Sequence, residues 1–571
     1  MSSPNDQQIL HLLNRSAFGP APGDLERVRE TGTGAYLDEQ LNPASIDDSD
    51  LDQRLQQLPT LSMSSEELIE NYPPPRKAGR ARKASPEAKN AGDPPASQQA
   101  NEMEIRRPRN RQAMLAEQRL EALRGPRRVL VELAREEIWR AVYSQRQLQE
   151  VMVQIWMNHF NIYVLKGHDR WMLTSFERDV IRPFALGKFE DLLVATAQSP
   201  AMLFYLDNWR SSAPPLKYVE TLEHRKISTK GGEFEREAFM RPGPFGRRMR
   251  YRRPPRRRQK AKNGKQSRGL NENYGRELME LHTLGVNGGY TQQDVIEVAR
   301  CLTGWTIRRP RYEAEFFFNP RMHDYHPKVV LGHKFPAGRG IEDGQEVLSL
   351  LAHHPSTARF ISTELCRRFV ADDPPQSVVE RASSTFQSTG GDIREVVASI
   401  LTSREFNSPA VFRAKVKTPL EYVASSLRAV GADTDAGLPI IRALERMGHP
   451  MFQYEAPSGY ADRGSTWVNS STLLWRLNFA MLLASGRLPG TEVQSRNLLA
   501  LNGNLNGADL VNAVAEHLLG EPVLPSTVGA IVSKGGLGPK VETEAYRSRG
   551  IRPETATVAG LLLASPEFQR R

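Results

Sequence analysis

RRVLVELAREEIWRAVYSQRQLQEVMVQIWMNHFN, residues 127–161, decides the fold class. Val129, Leu130, Leu133, Ile138, Trp139 and Val142 recur at mostly helical spacing, and Gln147 to Asn161 repeats the pattern. The stripe begins earlier, at Leu115, Leu120 and Leu123, and a third run covers Phe189 to Leu206. The spacing therefore predicts helices from about Arg111 to Trp209.

Working outward, Ile9, Leu12, Leu13, Leu25, Val28, Tyr36, Leu37 and Leu41 predict two short helices around the turn Gly19-Pro20-Ala21-Pro22. Residues 273–284 read as a helix broken by Gly285 to Gly289. Thr291 followed by Asp294 reads as an N-cap with an acidic third position. Phe316-Phe317-Phe318 and Val329-Val330-Leu331 are strand-like, which predicts one small hairpin within 311–336. Helical pattern returns over 344–430, 470–486, 508–519 and 556–564. Three helical runs end alike, at Ser199-Pro-Ala-Met202, Ser403-Arg-Glu-Phe406 and Ser565-Pro-Glu-Phe568. Helix termination explains this better than a repeat.

The expectation is a mainly α, large multi-helix globular protein with a small β-hairpin and long basic disordered loops. Its parts are N-terminal helices (1–72), a Pro/Ala/Lys-rich linker or loop (73–104), a helical core (105–430) and a C-terminal helical region packed on that core (431–571). The core is interrupted by a basic loop at 210–268 and by the hairpin at 311–336.

The 571 residues carry 77 Lys/Arg against 66 Asp/Glu, a net charge of +11. That excess is local. Residues 241–268 hold 13 basic and no acidic side chains, and 72–128 hold 14 basic and 6 acidic, which leaves the remainder near −10. With Arg247, Arg248, Arg252, Arg253, Arg256, Arg257 and Arg258, the first stretch suits an anionic partner or nucleic acid, or simply keeps a loop solvated. Two cysteines, Cys301 and Cys366, exclude a disulfide scaffold. No apolar run reaches membrane-span length and no leader pattern is visible. The default expectation is thus cytoplasmic, with export alongside a signal-bearing partner left open. No phosphate loop, dinucleotide fingerprint, zinc-protease helix or nucleophile elbow is present.

Polar, titratable residues gather in four segments. NENYGRELMELHTLG (271–285) offers Asn273, Glu277, Glu280 and His282. On an α-helix His282 points roughly 140° away from Glu277, so the two make no helical metal pair, while Arg276 and Glu280 are spaced to pair. Met322 to Lys328 offers His323, Asp324 and Lys328. Trp156 to Asn161 offers His159, and Leu206 to Trp209 offers Asp207 and Asn208. Each has a structural alternative as ion-pair partner, core histidine or helix stop.

These segments resemble the bacterial "domain of unknown function 1800" family. The resemblance runs through LLNRSAFGP (12–20), with its Arg-x-x-Phe-Gly pattern, Trp-x-Asn-His-Phe (156–160), SPAMLFYLDN (199–208) and NENYGRELMELHTLG. It continues through GGYTQQDVIEVARCLTGW (288–305), FxFNPxxHDYHPKxxLG (316–332), LxxHPSTARFIS (351–362) and LLLASPEFQRR (561–571). It implies a mostly helical bacterial protein, with genes often beside a family related to alkaline phosphatases and sulfatases. The basic insertions 73–100 and 241–268 and the absent leader depart from that pattern.

Two functional readings follow. In one, a carboxylate–histidine site performs hydrolytic or metal-assisted chemistry. Glu277, Glu280, His282, Asp324 and Lys328 are then catalytic, and Asp207, Asn208, Asn273, His159, His323 and Trp305 bind substrate. A divalent metal is the cofactor such a set would suit. In the other, the chain is a non-catalytic partner or assembly factor for the neighbouring phosphatase/sulfatase-like protein. A third role, anion or nucleic-acid binding, belongs to 241–268 alone. Deleting 241–268 is expected to abolish salt-sensitive retention on immobilised heparin; unchanged retention rejects that role.

Overall fold

The computed structural model describes residues 4–74, 125–213, 269–493, 505, 507–535 and 553–571. The basic stretch 241–268 and the linker beyond residue 74 lie outside the described residues. Within them the chain is mainly α, with three two-stranded antiparallel sheets. Among the described residues, no helix is long and apolar enough to cross a membrane.

The opening stretch forms the helices Arg127–Tyr143 and Gln147–His159. Gln147 couples them. Its side-chain Nε2 donates to the carbonyls of Ala141 (3.3 Å) and Ser144 (2.8 Å) at the end of the first helix, and its Oε1 accepts from Phe18 N at 3.0 Å. One amide thus satisfies backbone groups that a helix end leaves open. The second helix buries Leu148, Val151, Met152 and Trp156, and Trp156 Nε1 donates to the Ala185 carbonyl at 2.9 Å.

The Arg-x-x-Phe-Gly pattern is structural. Phe18 is buried, and Gly19 sits at φ +89, where a Cβ would lie 3.0 Å from Ser425 Cβ. The Gly19 carbonyl accepts from Arg428 Nε at 2.7 Å, so a side chain here would be strained and would also push away the central helix. That helix, Pro419–Ala429, is buried at every residue. One continuous hydrophobic core runs around it, drawing residues from Ile9 to Phe568, and a small satellite holds Leu68, Ile69, Val129 and Trp171.

Glu421 is the buried carboxylate of this helix. Its Oε2 accepts from Thr418 N at 2.8 Å and closes a capping box, while its Oε1 takes Arg368 and, at 3.2 Å, Arg571. Lys415 and Arg571 exchange backbone hydrogen bonds beneath it (3.2 and 2.8 Å). Arg15, fully buried, donates to the Val411 carbonyl at 2.7 Å nearby. The surrounding guanidinium groups outweigh the desolvation of the Glu421 carboxyl and hold it well below the usual carboxylate range.

Several local expectations change. Residues 4–41 form three helices, not two: Gly32, at φ 87, splits Asp24–Thr31 from Thr33–Leu41. The single hairpin within 311–336 is also corrected. Glu315–Phe318 pairs backwards with Trp305–Arg308, and Lys328–Val330 pairs forwards with His333–Phe335. The sequence reading assigns no element to Trp305–Arg308, which is a strand. The helix expected over 273–284 is α only over Glu272–Glu277 and continues as a π-helix over Leu278–Thr283, where Leu284 N donates to the Met279 carbonyl at 2.9 Å. The capping box at Thr291 and Asp294 forms as expected. The Ser endings are stops: Ser403 Oγ accepts from Phe406 N (3.1 Å) and Ser565 Oγ from Phe568 N (3.3 Å).

Glu421→Gln leaves Arg368 and Arg571 buried without their counter-charge, and the expected cost is about 3–5 kcal/mol by urea unfolding at neutral pH. A depressed folded-state pKa gives stability that is present above the unfolded glutamate pKa and lost as pH falls through the folded value. The gap between native and variant is therefore expected to be full above pH 4.5, the ordinary glutamate value, and to narrow progressively as pH falls below it.

Candidate functional site

The cavity that His159 opens into is lined from two of the four polar segments, 156–161 and 271–285. His323, Asp324 and Lys328 build a buried network with Arg300 and Asp343. Lys328 Nζ donates to Asp343 Oδ2 at 2.6 Å and to the carbonyls of Asp324 and His326; Arg300 Nε donates to Asp324 Oδ2 at 2.7 Å. His323 Nδ1 lies 2.7 Å from the Thr303 carbonyl. Arg300, the His326 N–H and Lys328 together hold the Asp324 carboxyl below its ordinary range despite burial. Asn208 joins this region, donating from Nδ2 to the carbonyls of Leu302 and Trp305 (both 3.2 Å), and Trp305 is fully buried against Phe316. These groups are engaged with one another and shape the fold around the two hairpins.

Glu280 faces Arg276 at 3.6 Å, the expected pairing. Glu277 is half-buried and has no hydrogen bond or ion pair with any described residue; burial and Glu280 raise its carboxyl above the ordinary range. Asn273 is exposed and its backbone N–H donates to the Asn271 cap at 2.9 Å. Asp207 pairs with Lys166 at 2.8 Å. None of the groups that bind Asp324 pairs with Glu277. The basic-loop arginines 247–258 lie outside the described residues.

His159 and His282 do meet. Their ring centroids are 6.2 Å apart, and His159 Nε2 donates to the His282 carbonyl at 3.2 Å. His282 is buried on the π-helix with its ring 5.1 Å from Phe160, and neither ring nitrogen has a described partner. Burial pushes His159 down to about 4 and, with the neighbouring His159, pushes His282 down to about 3. Both imidazoles are neutral at neutral pH. With Nε2 carrying the proton, His159 keeps a basic Nδ1. The π-turn, a rare geometry that recurs at functional sites, is what sets His282 here.

His159 opens into a cavity of about 330 Å³, within the size range of small-molecule sites. Asn158, Glu137, Phe360, His449, Tyr460 and Trp467 also line it, whereas Glu277, Asp324 and Lys328 do not. Asn158 clamps the Tyr460 loop: Nδ2 donates to the Tyr460 carbonyl at 2.9 Å and Oδ1 accepts from Tyr460 N at 2.8 Å. Gly459, at φ +64, lies so close to Asn158 that a Cβ would collide with its backbone oxygen. The Trp-x-Asn-His-Phe segment thus uses Trp156 as an anchor, Asn158 as a clamp and His159 as the group presented.

Glu137 is the residue the sequence reading passed over. Four glutamates (136, 137, 150, 177) surround two arginines. Arg140 takes Glu136 (2.8 Å), and Arg182 takes Glu150 (2.8 Å) and Glu177. Glu137 receives neither, and has no hydrogen bond or ion pair with a described residue. Desolvation, then the charges of Glu177, Glu136 and Glu150, push its carboxyl up to about 8. Helical spacing held the clue: Glu136 is four residues before Arg140, the favoured pairing, which leaves Glu137 out. His449, pushed by burial down to about 4, was also missed, because 449–467 has no periodic pattern.

Among the described residues, no group of three or more His, Cys, Asp or Glu is arranged to hold a metal ion. The family described as "Protein of unknown function (DUF1800)" matches residues 11–570. The chain belongs to DUF1800. No curated protein and no solved structure matches this DUF1800 chain.

Asn158→Ala leaves the Tyr460 N–H and carbonyl without their partners. The expected loss is about 1–3 kcal/mol, with faster amide exchange confined to the 454–463 loop. Unchanged exchange at Tyr460 contradicts the clamp.

Proposed function

We propose that this DUF1800 chain is a hydrolytic enzyme whose acid–base chemistry takes place in the Glu137–His159–His449 cavity. The observation that carries the reading is a carboxyl whose pKa is raised by burial, opening on the same cavity as two histidines that burial holds in the neutral form. General catalysis works best when the acid titrates near the working pH, and Glu137 meets that condition. A neutral imidazole takes a proton from water as the water oxygen bonds to the electrophilic centre. Glu137 gives its proton to the departing oxygen or nitrogen. The carboxylate–histidine set expected around Glu277 is thereby relocated to Glu137, with His159 common to both.

The test is a panel of ester, amide, glycoside and phosphoester substrates assayed with the purified chain. Turnover of one class is expected, falling at least 100-fold in Glu137→Gln, the lower bound of general acid–base contributions of roughly 10²–10⁴. Turnover that survives Glu137→Gln, or no turnover of any class, rejects the reading.

A further inference from the structure

We infer that the cavity takes an aryl group of its substrate, stacked on the Phe452 ring beside the Glu137 carboxyl. This rests on the cavity being the substrate site proposed above, and it names the group recognised there.

Phe452 is held in a conformation that its side chain disfavours. Its φ is 59, in the left-handed region, where a bulky residue is an outlier. The backbone around it is fixed at several points. The Phe452 carbonyl accepts from Val164 N at 3.0 Å, and Gln453 N donates to the Pro450 carbonyl at 3.1 Å. Asn161 Nδ2 donates to the carbonyls of Tyr454 (3.0 Å) and Ala456 (2.8 Å). Backbone strain persists only where the surroundings over-determine it, and it gathers at ligand sites.

What the strain achieves is the placement of a ring. Phe452 is half-buried on the cavity, and no aromatic ring among the described residues contacts it. Phe452 and Tyr460, from one irregular segment, make the aromatic wall of the cavity. Phe452, Glu137 and Met157 also line a second, smaller cavity together, which sets ring and carboxyl side by side.

The rest of the open lining is largely apolar. Ile155, Met157, Leu281 and Phe360 are half-buried on the same cavity. An apolar ligand takes that surface out of water, with a gain proportional to area. Polar side chains of the lining are turned to other partners. Asn158 holds the Tyr460 backbone, and Tyr460 Oη donates to the Pro450 carbonyl at 2.9 Å. Arg367 carries Glu364, and Arg463 carries Asp373 at 2.8 Å. A charged ligand would compete with these pairs, whereas an apolar ring breaks none of them.

A ring gains more here than a chain does. Aromatic pairs at centroid distances of roughly 4.5–7 Å add to the area term, and thioethers such as that of Met157 also favour aromatic edges. A dry apolar cavity of about 150 Å³ already accepts benzene. The cavity here, about 330 Å³, holds a substituted ring.

The experiment titrates the full chain with 4-methylphenol and with 4-methylcyclohexanol, rings of similar size of which only the first is aromatic. The Met157 ε-methyl ¹³C resonance, assigned by its absence in Met157→Leu, reports binding. The expected result is a saturable shift with 4-methylphenol, at an affinity roughly two- to tenfold above that of the saturated ring. In Phe452→Leu that preference is expected to disappear, and in Phe452→Tyr to be kept. Both variants retain the left-handed backbone and a large side chain, so a merely structural role moves neither ratio. Equal or weaker affinity for the aromatic ring in the native chain overturns the aryl assignment and leaves the cavity a ligand site; this comparison needs neither variant. A preference that survives Phe452→Leu overturns the stacking on Phe452. No shift with either ring overturns both the aryl assignment and the cavity reading.

Discussion

Glu421 is the charge on which the rest of the structure depends. It stands on a helix buried at every residue, in a neighbourhood of guanidinium groups from three distant parts of the chain. Burying that many cations costs several kcal/mol each unless a carboxylate answers them. Glu421 does so twice, through Arg368 and Arg571, and also caps its own helix through Thr418. The N-terminal helix enters the same region with Arg15, and the C-terminal segment pairs with residues 415–417 beside it. One carboxylate therefore fixes where both ends of the described chain dock.

That constraint reaches the cavity directly. Arg368 and Thr418, which Glu421 holds, are part of the cavity lining. The glutamate–arginine cluster fixes the helix that carries Glu137, and burial, followed by that cluster's surplus of acid over base, raises its carboxyl. Ion pairs thus frame a cavity whose lining is partly aromatic.

Much of this was legible in the sequence. The helical class follows from apolar spacing, and the capping box at Thr291 from two residues. The Arg276–Glu280 pair follows from spacing alone. Elsewhere one-dimensional patterns misled for identifiable reasons. Strands of three or four residues, such as Trp305–Arg308, are too short to display a period against flanking helix. The π-turn at Leu278–Thr283 is invisible to a 3.6-residue template and changes where His282 points. Asp324 and Lys328 resembled a site because they are titratable and clustered, yet each finds its counter-charge on residues 15–24 positions away. Glu137 looked ordinary because an unpaired carboxyl is defined by what fails to reach it, a property of three-dimensional neighbours. The aromatic wall comes from an irregular segment, 449–467, held by an asparagine some 300 residues earlier.

The central claim is that Glu137 is a proton-holding carboxyl at neutral pH. Its titration can be followed directly by carboxyl ¹³C chemical shift in the full chain, with Glu137→Gln identifying the resonance. The account predicts a midpoint at about 8. A midpoint at the ordinary glutamate value of 4.5 contradicts it, because the cavity would then present a charged carboxylate with no proton to give.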